Sequence, residues 1–251
     1  MDIEQPSAHD REFVGLLVGL GTDGPPRLAF VRRAPAGITG QPGSLLCLSA
    51  SFNPLTVAHL RLVGEASRIF PPDEILLLLA RANVDKPVEG FPLERRLSLL
   101  VRFVETRAAH SVAVCSHGRF VDKVEAIQPH YPPGTRLAFI VGFDTLVRLF
   151  DTKYYADPGA ALSKLFSASE FIAANRAPDP PDAVRSFLAR PDVAPYAGRV
   201  QVIQLPAEIA AVSATQVRTR LARGERVADL VPAEIHPLLN PHPAGPNKAR
   251  H

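Results

Sequence analysis

The sequence predicts an α/β protein, a Rossmann-like doubly wound parallel sheet with helices on both faces. Short apolar runs recur at residues 45–49, 75–80, 112–115, 137–141, 171–174 and 200–205, each the length of a buried strand. Each run is followed by a helical pattern, as in Leu93, Leu97, Leu100, Val101 and Val104, and again in Phe120, Val121, Val124 and Ile127. Alternating strands and helices make βαβ units, and right-handed crossovers wind them into one sheet. At 251 residues the chain is long enough for one large domain of this kind.

The chain divides into an N-terminal extension (1–43), a main domain (44–240) and a Pro-rich tail (241–251) expected to be disordered. The apolar run at 13–20 is too short to span a bilayer and follows Asp10, Arg11 and Glu12 instead of a basic leader, so no membrane partner is expected and the cytoplasm is the expected location. A net charge of +3 with no basic stripe argues against nucleic acid and is compatible with small polyanions. Cys47 and Cys115 lie in apolar runs without metal-ligand spacing, and they read as reduced packing residues; no protein-held metal site is expected. Trp is absent, so aromatic stacking falls to Phe and Tyr. The oligomeric state, a homo-oligomer included, is left open.

The stretch Ala50-Ser51-Phe52-Asn53-Pro54-Leu55-Thr56-Val57-Ala58-His59 leaves the first confident strand and opens an amphipathic helix. A helix N-terminus at the carboxyl end of a parallel strand binds anions, through unpaired first-turn amides and the positive end of the dipole. Thr56 and His59, three residues apart, share a face of that helix and reach the same anion. A core histidine is the competing reading of His59.

Three further stretches lie at carboxyl ends of strands. Lys86, in the loop after the second main strand, can reach a phosphate or stay a surface lysine. Gly142 ends a strand and admits a close ligand, while Asp144 just beyond it serves as an N-cap or as an acceptor for ribose hydroxyls. Ser213 with Gln216 forms a capping-box pattern beside Thr215, and Arg218 reads as a first-turn cation opposed to the helix dipole unless an anion is near, so that its removal would leave the empty protein intact or slightly more stable.

Taken together, these stretches resemble the motifs of the nucleotidylyltransferase superfamily. Phe52, Asn53, Pro54, Thr56 and His59 match its first motif, with Ala50 and Ala58 where glycines are usual. Gly142, Asp144 and Leu149 resemble an element of its nicotinamide-nucleotide adenylyltransferase branch; Ser213, Thr215 and Arg218 match its last motif, with Ala214 departing. The resemblance implies transfer of AMP from ATP to nicotinamide mononucleotide, giving NAD and pyrophosphate, with Mg²⁺ carried on ATP. It assigns His59, Thr56, Lys86 and Arg218 to the phosphates and Ser51, Phe52, Asn53, Gly142, Asp144, Ser213 and Thr215 to the nucleotide. Tyr154 and Tyr155, with Phe120 a lesser candidate, stand where relatives place an aromatic residue against the acceptor. Adenylyl or cytidylyl transfer to another phosphate acceptor such as phosphopantetheine, or nucleotide binding without turnover, are the alternatives.

Overall fold

A computed structural model of the chain describes residues 8–81, 90–175 and 182–239. Seven strands form one sheet in the order β1-β4-β3-β2-β5-β6-β7. They are β1 (Leu28–Arg32), β2 (Ser44–Ser49), β3 (Glu74–Ala80), β4 (His110–Cys115), β5 (Arg136–Gly142), β6 (Glu170–Asn175) and β7 (Val200–Gln204). The last six coincide with the apolar runs to within two residues and pair in parallel. The helices are α1 (Ala8–Leu20), α2 (Val57–Ile69), α3 (Leu93–Val104), α4 (Phe120–Ile127), α5 (Phe143–Leu149), α6 (Pro158–Ala168), α7 (Ala183–Leu188), α8 (Ala207–Ala210), α9 (Ala214–Ala222) and α10 (His236–Leu239).

Alternation along each strand sends side chains to two cores. Leu46 and Leu48 of β2, with Leu77 and Leu79 of β3, meet Phe13 of α1, Leu62 of α2, Leu97 and Leu100 of α3 and Val217 of α9. Leu45, Cys47, Leu76 and Leu78 face Phe120 and Val124 of α4, Leu146 of α5, Phe166 of α6 and Val184 of α7. Phe120 belongs to this second core, edge-on to Phe139 at 5.1 Å and to Phe171 at 5.7 Å, and so packs the helix instead of presenting a stacking face.

The segment before residue 44 contributes α1, packed on α3, and β1, the antiparallel neighbour of β4 at the sheet edge. A register irregularity falls between Phe30 and Arg32, where an edge strand tolerates it.

The chain runs from β2 outward through β3 and β4, then returns to place β5 on the other side of β2. Neighbouring crossovers diverge there and open a crevice at the carboxyl ends of β2 and β5, the usual ligand position in such sheets. At the opposite, amino edge, buried Glu74 accepts hydrogen bonds from the Ser111 hydroxyl (2.6 Å), the Tyr131 hydroxyl (2.7 Å) and the Ile38 amide (2.8 Å). A Cβ at Gly37 would collide with that carboxylate, so glycine is required for the strap to pass.

Candidate active site

Beyond β2 the backbone turns through Phe52 at φ 42° and a cis Asn53–Pro54 bond, and Thr56 then caps α2. Phe52, Asn53 and Thr56 are buried, and Ser51 is exposed at the mouth. Thr56 and His59 form a reciprocal capping box, with the Thr56 amide donating to His59 Nδ1 at 3.1 Å and the Thr56 hydroxyl 2.8 Å from the same nitrogen. An Nδ1 that accepts an amide proton is itself unprotonated, which places the proton of the neutral ring on Nε2. The Phe52 ring, 5.2 Å away and tilted, packs against the imidazole. His59 is only half-buried and belongs to this cap, not to the core interior.

One part of the sequence reading changes here. First-turn amides were expected to be available to a phosphate, but Val57 N–H donates to Leu230 O at 3.0 Å and His59 N–H to Thr56 O at 3.0 Å. The positive charge of the site comes mainly from two arginines. Arg96, 6% exposed, donates from Nε to Phe91 O at 2.7 Å and approaches Ser51 O at 3.4 Å. Arg218 donates to Asn53 O at 2.7 Å and to Thr215 Oγ1 at 3.2 Å. Among the described residues neither guanidinium has a carboxylate within ion-pair distance. Burial, followed by the nearby Arg218 charge, lowers the pKa of Arg96.

These arginines tie together three segments that are distant in sequence. The Phe91 amide donates to Asn53 Oδ1 at 2.9 Å. Gly90, at φ 106°, is wedged so tightly that a Cβ would stand 2.6 Å from Arg218 Cδ and 2.8 Å from Asn53 Oδ1. Only glycine satisfies both that backbone angle and that approach. Arg96 and Gly90 were not assigned to the site from sequence. Arg96 had a legible signal, because it occupies an apolar-stripe position of α3 with Leu100 and Phe103.

Arg218 is the fifth residue of α9, not a first-turn residue, and its side chain reaches back across the cap. Ser213 caps α9 by accepting from Gln216 N at 3.1 Å, so its capping role is realised, and Thr215 is engaged by Arg218. Gly142, not Asp144, caps α5; Asp144 lies exposed in the first turn, where the dipole favours a carboxylate. A Cβ at Gly142 would meet nothing within 4 Å, so the space above that backbone is open.

Tyr155 is a packing residue, its hydroxyl donating to Leu149 O at 2.9 Å and its ring set against the second core. Tyr154 is half-buried, with the Lys153 ammonium 4.7 Å from its ring centre, and its carbonyl accepts from Arg119 at 3.2 Å. Lys86 and the tail lie outside the described residues.

A doubly wound sheet whose switch point gathers a capped histidine and two arginines, neither paired with a carboxylate among the described residues, is suited to hold phosphate groups. The sequence matches the cytidylyltransferase-like family over residues 48–220, and the chain belongs to that family. Among curated relatives, the putative nicotinamide mononucleotide adenylyltransferase of Schizosaccharomyces pombe is 35% identical over 136 residues, 53% of this chain and 53% of the relative. The probable nicotinate-nucleotide adenylyltransferase of Geobacter sulfurreducens is 32% identical over 106 residues, 40% of this chain and 49% of the relative. The matches to these two thus span about half the length of each relative. A probable nicotinate-nucleotide adenylyltransferase of Trichlorobacter lovleyi aligns over 94% of its own length and 76% of this chain at 27% identity. In fold the chain is similar to the nicotinic acid mononucleotide adenylyltransferase of Plasmodium falciparum complexed with NaAD, at TM-score 0.53 and 17% identity, covering 79% of this chain and 93% of that one.

Proposed function

We propose that the chain is a nucleotidylyltransferase that transfers AMP from ATP to a pyridine mononucleotide, nicotinamide mononucleotide in the first place, giving the dinucleotide NAD and pyrophosphate. The observation that carries this reading is the pair Arg96 and Arg218, both bonded to carbonyls of the 51–53 turn and neither neutralised by a carboxylate among the described residues. Two cations held close together at a sheet's switch point favour a polyanion, and a nucleoside triphosphate supplies one.

In this reaction a phosphate oxygen of the acceptor attacks the α-phosphorus of ATP. The bond from that phosphorus to the bridging oxygen breaks, and pyrophosphate leaves with the electron pair. The attacking oxygen is already anionic, so the protein needs no nucleophile of its own and acts by positioning and by charge. His59, with its proton on Nε2, donates to a phosphoryl oxygen as negative charge grows there; the Thr56 cap keeps the ring from turning. Arg218, anchored on Asn53 O, lies against the triphosphate, and Arg96 holds the turn from behind. Gly142 gives the nucleotide room, and Asp144 accepts from its hydroxyls. Mg²⁺ enters as part of the ATP complex and neutralises part of the triphosphate charge. Lys86 joins the phosphates in this scheme.

The names of the relatives support the pyridine acceptor over phosphopantetheine or a phosphosugar. Among the described residues no helix is long and apolar enough to cross a membrane, and a cytoplasmic enzyme is part of this proposal. Purified protein with Mg-ATP and each acceptor in turn tests it, with pyrophosphate release as the readout. Release with nicotinamide mononucleotide is expected. Release with phosphopantetheine or a phosphosugar and none with either pyridine mononucleotide would overturn the acceptor, and no release with any would overturn transfer itself.

A further inference from the structure

One charged group at the carboxyl edge is used by nothing described so far. Lys123 lies in α4, 6% exposed, at a position of the apolar stripe that Phe120, Val124 and Ile127 define. Among the described residues its ammonium has neither a hydrogen-bond nor an ion-pair partner. It lies over the Phe120 ring, 4.2 Å from Nζ to the centroid. Asp122, the adjacent carboxylate, is already held by both arms of Arg119 at 2.9 Å. The Cys47 and Cys115 thiols are within electrostatic range but buried and unbridged, and burial raises the pKa of both, so they supply no anion. Burial lowers the pKa of Lys123 to about 8, with the nearby Asp122 carboxylate acting the other way.

Direction follows from helix geometry. α4 begins just beyond the carboxyl end of β4, and helical side chains lean toward their own N-terminus, as Lys123 does in lying over Phe120 one turn earlier. The ammonium is therefore aimed at the carboxyl edge of the sheet, on the face that carries Cys47 and Cys115. The strand between them ends in Ala80, paired with Cys115, so the side chains at that edge are small. β4 lies two strand spacings from β2, roughly 10 Å from the turn that holds the phosphates. A buried cation held by an aromatic face without an oxygen acceptor among the described residues is costly, and the cost is relieved when a ligand brings an oxygen to it.

Building on the proposed function, we infer that Lys123 is an acceptor-binding residue whose ammonium contacts the exocyclic oxygen of the pyridine ring, the carboxamide carbonyl of the nicotinamide form or the carboxylate of the nicotinate form. An ammonium gains more from a carboxylate than from a neutral carbonyl, so the nicotinate form depends on it more.

The test is Lys123→Met, which keeps the length of the side chain and removes its charge. Binding of each mononucleotide is measured by calorimetry on wild type and variant, alongside kcat/KM for each with Mg-ATP. The expected result is that the nicotinate form loses at least tenfold more kcat/KM than the nicotinamide form, through KM and not kcat, while thermal melting is unchanged or raised. Equal losses for both forms, or none for either, would overturn the inference, as would a lowered melting temperature with proportionate loss on both. Wild-type protein that releases pyrophosphate only with a non-pyridine acceptor would overturn the acceptor reading itself, which is a separate outcome.

Discussion

The two edges of the sheet treat buried charge in opposite ways. At the amino edge Glu74 is saturated by Ser111, Tyr131 and Ile38, and the Ser111 hydroxyl also accepts from the Ala34 amide at 2.8 Å. Glu74 and the groups that bond to it are matched within the chain, and the result is a lock that fastens the strap from Ala34 to Ile38 beneath the sheet. At the carboxyl edge Arg96, Arg218 and Lys123 are buried or half-buried, and among the described residues they meet backbone carbonyls, the Thr215 hydroxyl and an aromatic face but no carboxylate in ion-pair contact. A saturated buried charge serves the fold, whereas an unsaturated one is a cost to the empty protein that a ligand can offset. The two edges should therefore respond to substitution in different observables.

The largest effect on stability is expected from Glu74→Ala, which strands three buried donors and should cost about 3 kcal/mol or more in chemical denaturation. Turnover per folded molecule should hold, and a loss of kcat at intact stability would break the contrast. His59→Ala should lower kcat about a hundredfold with ATP affinity within a few-fold, since a preorganised donor to developing charge has that worth. Unchanged turnover would return the ring to its capping role alone. Arg218→Ala should raise KM for ATP about tenfold and also destabilise the empty protein by about 1 kcal/mol, through the lost bond to Asn53 O. That sign reverses the expectation from sequence, which took Arg218 for a first-turn cation repelled by its own helix.

The remaining effect concerns Lys123 and pH. The folded protein holds this amine near 8 and the unfolded chain holds it near about 10.4, so between those values the unfolded state binds more protons. Wild-type stability gains a rising contribution across that window, and below it the penalty is constant. Lys123→Met should accordingly be the more stable protein at pH 7, with the advantage fading as pH rises from about 8 to about 10.4. A difference independent of pH would mean that the charge is not what the substitution removes.

Six strands could be read from sequence: β2 to β6 lie inside the sheet, where burial on both faces gives near-continuous apolar runs, and β7, at the edge, still carries Val200, Val202 and Ile203. β1 was not read as a strand. It is short and irregular, and its partner Cys115 lies far along the chain from Leu28, a pairing that no local pattern announces. The motif residues at 52–59, 142–144 and 213–218 were legible because the chemistry of each is local to a strand-to-helix turn. What joins them was not. Arg96 meets Ser51 and Arg218 meets Asn53 only after folding, and Gly90 is required by a side chain more than a hundred residues away. Arg96 and Lys123 share one overlooked signal, a cation placed where helical periodicity calls for an apolar side chain. Tyr155 shows a contact that sequence did not announce, its hydroxyl donating to Leu149 O.

The most direct test of the central claim, that the carboxyl edge keeps its charge unmatched until a polyphosphate arrives, is the thermal shift caused by Mg-ATP alone in wild type and in variants at each edge. At a hundred times its Kd the ligand should stabilise wild type by about 2.7 kcal/mol. Ser111→Ala, which weakens the Glu74 lock, should melt lower and keep the full shift. The combined Arg96→Met and Arg218→Ala variant should lose most of it at the same concentration. A full shift in that variant would contradict the account, because the triphosphate would then be held by something other than the two unmatched arginines.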